Sequence, residues 1–262
     1  LIHSQRMPHA LLFLGQTGWG TLALALEFAQ WLQCELQTAP CGACPACRKA
    51  AQFIHPDIHY AYPTIGSKAV STDALKAWRE ALAENPWMDA NTWLQRLGAE
   101  NKQGNITREE CQAIVKKLSL KAFEGRYKIL LMWLPEYLGK EGNRLLKLIE
   151  EPPENTVFLL VAEDVEQILP TILSRCQLVK TDPLTDDEVA DALVEKRGVE
   201  AARARQIAFL AGGDFNRAQK LAANPENDDA RLLLDWLRKC WRGYGPDLVH
   251  WTENFSKLGR EN

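Results

Sequence analysis

The sequence predicts an α/β fold, a parallel sheet flanked by helices and followed by a small all-helical unit. Three observations carry that expectation. Short runs that are apolar at every position, as strands buried on both faces must be, alternate with segments of helical period. The first run ends in a glycine-rich turn, Gly15-Gln16-Thr17-Gly18-Trp19-Gly20-Thr21-Leu22, of the kind that joins a strand to a helix. After Asp182-Pro183 the strand-like runs stop and only helical patterns remain.

Leu11-Leu12-Phe13-Leu14 is the first predicted strand, and Leu22, Ala25, Leu26, Ala29 and Leu32 recur at helical spacing behind the turn. Ile58, Tyr60 and Tyr62 alternate behind His55-Pro56-Asp57 as a second strand. Residues 64–105 have a weaker pattern, with Trp78, Leu82, Trp87 and Trp93 expected on helices, and read as an insertion or elaborated connection. Thr107 and Glu110 have capping-box spacing for a helix whose apolar face is Cys111, Ile114, Val115 and Leu118, with Ile106 placed to staple against Cys111. Strands are then expected over 128–134, 156–162 and 176–180, and a helix over 143–150 that Pro152-Pro153 stops. A second capping box, Thr185 with Glu188, opens a helix with Val189, Leu193 and Val194 on its apolar face and Gly198 at its end. Further helices are read over 199–210 and 216–223, and a last amphipathic one over 232–241. The expected division is a core over 1–181 with a cysteine module at 34–47, a helical lid over 182–224, and the beginning of a C-terminal helical domain over 225–262. The opening of the chain and its ending at Asn262, without an evident closing element, suggest a fragment of a longer protein.

Composition narrows the function. A net charge of −3 over 262 residues gives no general basic field for nucleic acid. No apolar run approaches a membrane span and no signal-peptide pattern opens the chain, so a cytoplasmic protein is expected.

The glycine turn keeps the spacing of the phosphate loop GxxxxGK[ST], but Thr21 stands where the lysine belongs and Leu22 where the magnesium-binding hydroxyl belongs. Only backbone amides and the helix dipole remain to hold phosphate, and Trp19 adds bulk. A hydrogen bond to a charged group contributes about 1.5–3 kcal/mol, so losing the lysine alone weakens phosphate binding roughly tenfold to a hundredfold. The strand over 128–134 leads into Trp133-Leu134-Pro135-Glu136 in place of a magnesium-holding acidic pair, and Glu136 reads as a solvated turn residue. Both catalytic elements of an ATPase are therefore missing, and no functional ATP site is expected.

The cysteines form the opposite case. Cys41, Cys44 and Cys47 follow Cx2Cx2C spacing, Cys34 supplies a fourth thiolate, and Pro40, Gly42 and Pro45 supply tight turns. That is a closed four-cysteine structural zinc site; an iron–sulfur cluster shares the spacing, but nothing else suggests redox work. Seven cysteines, an odd number, argue against a disulfide framework, and Cys111, Cys176 and Cys240 read as buried free thiols. Ser174-Arg175-Cys176 alone reads as an exposed turn arginine. Nine basic residues against five acidic ones over 108–147 fit an ordinary solvated surface.

Taken together, several runs give a family resemblance. They are Pro8-His9-Ala10-Leu11-Leu12-Phe13, the cysteine module, Leu118-Ser119-Leu120, Glu124-Gly125-Arg126-Tyr127-Lys128, Asn143-Arg144-Leu145-Leu146-Lys147, Glu150-Glu151-Pro152-Pro153, the run from Leu169 to Cys176, and the run from Gly212 to Ala218. In that order the chain resembles the delta-prime subunits of bacterial DNA polymerase III clamp loaders, relatives of the gamma/tau subunits in the AAA+ superfamily. The resemblance implies zinc on Cys34, Cys41, Cys44 and Cys47. It implies that Arg175 is an arginine finger presented in trans to ATP bound by a neighbouring gamma/tau subunit. Arg217 matches a nucleotide-sensing lid arginine whose role is in doubt once the loop chemistry is gone, and nothing carries over to 64–105. The implied role is a subunit without ATPase activity of its own, in a hetero-pentameric ring with gamma/tau and delta subunits, within the DNA polymerase III holoenzyme. Such a ring loads the sliding clamp on primed DNA, and basic residues such as Lys116, Lys117 and Arg144 would lie along duplex phosphates. The alternatives are an active gamma/tau-type ATPase subunit, which needs a lysine at position 21, and a free-standing zinc-dependent nucleic-acid binder. The second of these needs basic and aromatic residues around the cysteines, where only Arg48 and Lys49 stand.

Overall fold

The computed structural model describes residues 7–36, 39–99, 103–223 and 228–256, the side chains of 228–232 excepted. Its centre is a five-stranded sheet of β1 (Ala10–Leu14), β2 (Ile58–Ala61), β3 (Lys128–Trp133), β4 (Thr156–Ala162) and β5 (Gln177–Lys180). The strands run in the order β2-β3-β4-β1-β5 with every pairing parallel. The period of two along a strand sends alternate residues to two separate cores. Leu11, Phe13, Ile129, Leu131, Trp133, Val157, Leu159 and Val161 enter one, and Ala10, Leu12, Leu130, Met132, Phe158, Leu160 and Ala162 enter the other. This is why these runs carry no polar alternation. Strand β5 differs: at the edge of the sheet it is mostly exposed, so the expected burial on both faces does not extend to it.

The first core is covered by α1 (Thr21–Gln33), α2 (Pro45–Ala51), α3 (Leu75–Glu84) and α4 (Ala90–Arg96). Helix α1 buries Leu22, Ala25, Ala29 and Leu32, as the spacing predicts. Residues 64–105 are stitched at their ends by a bridge between Thr64 and Asn105, and they complete this core. Trp78 and Trp93 are fully buried, with Trp78 stacked on Tyr62 at 4.1 Å and packed against Trp93 at 5.1 Å and Trp133 at 5.3 Å. Trp87 lies in the turn between α3 and α4 and not on a helix.

The second core is covered by α5 (Arg108–Leu118), a 3-10 segment Pro135–Leu145 broken at Gly139, α6 (Leu146–Glu150) and α7 (Pro170–Leu173). The helix expected over 143–150 is therefore a 3-10 turn running into α6. Thr107 caps α5 by accepting from the Glu110 N–H at 3.0 Å. The reciprocal half of that box is absent, because the Glu110 carboxylate instead accepts from the Ser71 N–H at 2.6 Å and ties 64–105 to α5. Ile106 and Cys111 are buried in this core together, as the staple predicts, whereas Val115 is exposed.

The helices α8 (Asp186–Arg197), α9 (Ala201–Ala211) and α10 (Phe215–Ala223) have a small core of their own around Val189, Leu193, Ile207 and Phe215. The Thr185/Glu188 box is complete and Gly198 ends α8 at φ 65°. Val194 faces solvent and not this core. Two more helices follow, α11 (Asp228–Arg242) and α12 (Gly245–Phe255), the second of which the sequence pattern did not announce. The expected break at Asn262 and the segment before Met7 lie outside the described residues. No helix among the described residues is long and apolar enough to cross a membrane.

Candidate functional site

The glycine turn lies at the C-terminal end of β1, which is paired on both sides, with β4 and with β5. Gly18 at φ 78° and Gly20 at φ 84° take the left-handed conformation that favours glycine, and Gly20 begins α1. Side chains approach the turn closely. A Cβ on Gly20 would meet the Trp87 ring at 2.6 Å, and one on Gly18 would meet Asp214 Oδ1 at 1.7 Å. The Thr21 hydroxyl, at the lysine position, shares a 2.8 Å hydrogen bond with the Thr181 hydroxyl. The cavity left among Gly15, Gln16, Thr17, Gly18, Trp87 and Glu163 is about 20 Å³, room for a single water.

Carboxyl groups border the turn as well. Thr17 donates to Glu163 Oε1 at 2.6 Å, and burial pushes the Glu163 carboxyl above the ordinary carboxylate range. Asp214 closes the other side, where its carboxylate accepts from the Arg217 N–H at 2.9 Å. Arg217 itself is exposed on α10. At the end of β3, where the sequence reading found no acidic pair, stand Trp133, 2% exposed within the aromatic cluster, and Leu134, also 2% exposed.

Glu136 corrects the sequence reading. It is half-buried and Oε1 accepts from the N–H groups of Glu163 (2.6 Å) and Asp164 (2.9 Å), so it fixes the loop after β4 and is not a solvated turn residue. Burial raises its pKa too. The turn is thus bordered by carboxylates, each held by hydrogen bonds from the protein.

A latch keeps α10 against this turn. The Phe215 N–H donates to the Gly18 carbonyl at 3.0 Å, and the Phe215 ring packs edge-on to Trp87 at 5.0 Å. Asn216, 3% exposed, accepts from Asn85 Nδ2 and donates to Asp89 Oδ2, each at 2.8 Å. Lys220 adds an ion pair to Asp89 at 2.7 Å. Nothing in the sequence pattern pairs these residues; the one local sign was Asn85-Pro86, a turn dipeptide that places Trp87 off the helices.

Cys34, Cys41, Cys44 and Cys47 are brought together with all four sulfurs within 4.8 Å of one another. Cys34 ends α1 and Cys44 caps α2 with its sulfur accepting from the Cys47 N–H, so two helix ends fix the geometry. Cys41 and Cys47 sulfurs stand 3.9 Å apart, close to the roughly 3.8 Å that a tetrahedron of 2.3 Å zinc–sulfur bonds requires. The donor set therefore fits a metal ion with no open position. Of the other cysteines, Cys111 is buried as expected, Cys176 is half-buried and Cys240 is exposed.

Arg175 follows α7 at the surface. Its Nη1 donates to the Thr171 carbonyl at 2.6 Å and to Ser174 Oγ at 3.2 Å, and its Nη2 pairs with Glu150 at the end of α6. The basic stretch over 108–147 is less uniform than its count. Lys128 is buried, and its amine caps α5 by donating to the carbonyls of Leu118 and Leu120 at 2.6 and 2.7 Å. Arg144 pairs with Glu141 at 2.6 Å.

A parallel sheet with a glycine-rich turn leading from an interior strand into a helix defines a protein of the phosphate-loop α/β class. Within that class, the family model described as DNA polymerase III, delta subunit, matches residues 1–185, and the chain belongs to that family. Among curated proteins it is similar to DNA polymerase III subunit delta' of Bacillus subtilis (strain 168), 27% identical over 235 residues that cover 89% of this chain and 59% of the relative. Subunit delta' of Pseudomonas aeruginosa PAO1 is 27% identical over 236 residues, covering 88% and 61%. DNA polymerase III subunit tau of Escherichia coli K12 is 29% identical over 174 residues, covering 65% and 21%. The chain thus spans about three fifths of the length of these two delta' relatives.

Proposed function

We propose that this chain is a delta-prime subunit of the AAA+ kind that does not turn over ATP but serves a neighbour's ATP site in a clamp loader. The observation that carries the reading is the crowded phosphate turn. Its 20 Å³ cavity, the Trp87 ring close over Gly20 and the Asp214 carboxylate against Gly18 support a turn that does not hold a triphosphate. The turn is a degenerate phosphate loop that has become a docking point for the lid. In this reading the latch ties α10, in a lid over 182–224, to the turn of a core over 1–181, and the helices of 225–262 belong to a C-terminal helical domain. Arg217 has no nucleotide to sense.

In this reading Arg175 is the working group. A guanidinium offered from one subunit to the phosphates bound by the next stabilises the charge of phosphoryl transfer without the donor binding nucleotide. The ring would contain gamma/tau and delta subunits and act on the sliding clamp and primer-template DNA in the cytoplasm. Lys116, Lys117 and Arg144 remain the candidates for duplex phosphates, whereas Lys128 is withdrawn by its role under α5. Zinc on Cys34, Cys41, Cys44 and Cys47 would neutralise four clustered thiolates and hold the end of α1 to α2, with no part in the chemistry.

The test is direct. The isolated chain should neither bind ATP with micromolar affinity nor hydrolyse it, yet its addition to the partner subunits should restore DNA-dependent clamp loading. Micromolar binding with turnover by the isolated chain overturns the reading in favour of an active gamma/tau-type subunit.

A further inference from the structure

Arg175 is not free to meet a neighbour's phosphate. Its guanidinium has four contacts or constraints within the chain. Nη1 has two acceptors, the Thr171 carbonyl and the Ser174 hydroxyl; Nη2 pairs with Glu150 Oε1; and Nε is buried without a partner. Of the three acceptors only Glu150 is charged. Its carboxylate comes from a different element, since Glu150 ends α6 and Arg175 follows α7, 25 residues later in sequence. The side chains of the pair are 30% and 47% exposed, so an incoming anion can reach it from solvent.

We propose that Glu150 is a positioning residue that parks Arg175 on its own chain, and that the neighbour's phosphates must displace the Glu150 carboxylate to engage the guanidinium. This rests on the trans-finger reading of Arg175. A carboxylate and a phosphate compete for the same N–H groups, because both present acceptor oxygens matched to the guanidinium fork. While the pair is closed the finger is neutralised and folded back against α7. When phosphate takes the guanidinium, Glu150 is released to water, where its 47% exposure lets it be solvated without leaving a buried charge. A half-exposed pair of this kind biases the parked state by up to about fivefold. The Thr171 and Ser174 contacts then keep the finger oriented once Glu150 lets go. Glu150 belongs to the Glu-Glu-Pro-Pro run, where Pro152 and Pro153 stop α6 close behind it, so its place is set by the same residues that end the helix.

The experiment uses the chain assembled with its clamp-loader partners and primed DNA, with ATP hydrolysis followed over a range of ATP concentrations. Wild type, Glu150→Gln, Arg175→Ala and the double variant are compared. Glu150→Gln keeps shape and removes charge, and should raise kcat/KM about two- to fivefold, with the rise abolished in the Arg175→Ala background. Glu150→Asp, which keeps the charge on a shorter stem, should fall between wild type and Glu150→Gln. An unchanged or lower kcat/KM in a Glu150→Gln chain that melts like wild type overturns the proposal, as does a rise that persists without Arg175. Should Arg175→Ala by itself leave hydrolysis intact, the finger reading fails first and this inference with it.

Discussion

The crowded turn makes one prediction that runs against the usual repair of a degenerate loop. Thr21→Lys restores the missing amine, and in an open phosphate loop one charged hydrogen bond of about 1.5–3 kcal/mol would raise ATP affinity tenfold to a hundredfold. Here it should raise it not at all. The cavity is about 20 Å³, and Glu163, Trp87 and Trp133 are among the residues that line it. The replacement should cost stability, because Thr21 is 5% exposed and its hydroxyl is bonded to Thr181. Losing that bond and forcing a longer side chain into the site cost together about 2–4 kcal/mol, a fall in Tm of roughly 5–15 °C for a domain of this size. The assay is titration calorimetry with ATP and magnesium up to millimolar concentration, beside a thermal melt of the same sample. Thr21→Lys protein that binds ATP with micromolar affinity while Trp87 is in place would refute the reasoning.

The latch predicts that Asn216→Ala destabilises the chain by about 1–3 kcal/mol, since Asn85 and Asp89 each lose a partner; urea unfolding reads it, and an unchanged midpoint would mean that the lid is not held there. Cys47→Ser should lower bound zinc, measured by elemental analysis, from one equivalent per chain and reduce Tm, whereas Cys240→Ser, on the exposed thiol, should change neither. Asp57 gives a pH prediction. Burial opposes its ionisation, but the backbone N–H groups of Phe123, Glu124 and Gly125, at 2.6, 2.9 and 2.6 Å, outweigh it and hold the carboxyl below the usual range. A depressed folded pKa contributes stability that is present above about pH 4 and is lost as pH falls through the folded value. Asp57→Asn should therefore flatten the acid limb of the stability profile, and an unaltered limb would contradict the assignment.

What was legible in the sequence, and what was not, follows the range of the interactions. Strands β1, β3 and β4 could be read because each is buried on both faces, which leaves an uninterrupted apolar run. The cysteine module could be read because its spacing is itself the geometry of the site. The Thr185/Glu188 box is complete, and the Thr107/Glu110 pair of the same spacing is not, because Glu110 accepts instead from the N–H of Ser71, 39 residues earlier in sequence. Trp87, Glu136 and Asn216 were misread or unread for the same reason. Asn85 and Asn216 are 131 residues apart, and no local pattern records that they meet. That Trp133 and Leu134 offer no carboxylate was plain in the sequence. That Trp133 had joined Trp78 in an aromatic core was not.

The central claim is that this chain, without an ATP site of its own, completes a neighbour's. It is tested most directly by the ATPase rate of the assembled clamp loader on primed DNA with wild-type chain or with Arg175→Ala. The account predicts a loss of about 10³-fold or more at the site Arg175 serves, seen as a fall in the total rate by that site's share, with assembly unchanged by gel filtration. An intact complex that hydrolyses ATP at the wild-type rate without Arg175 would contradict it.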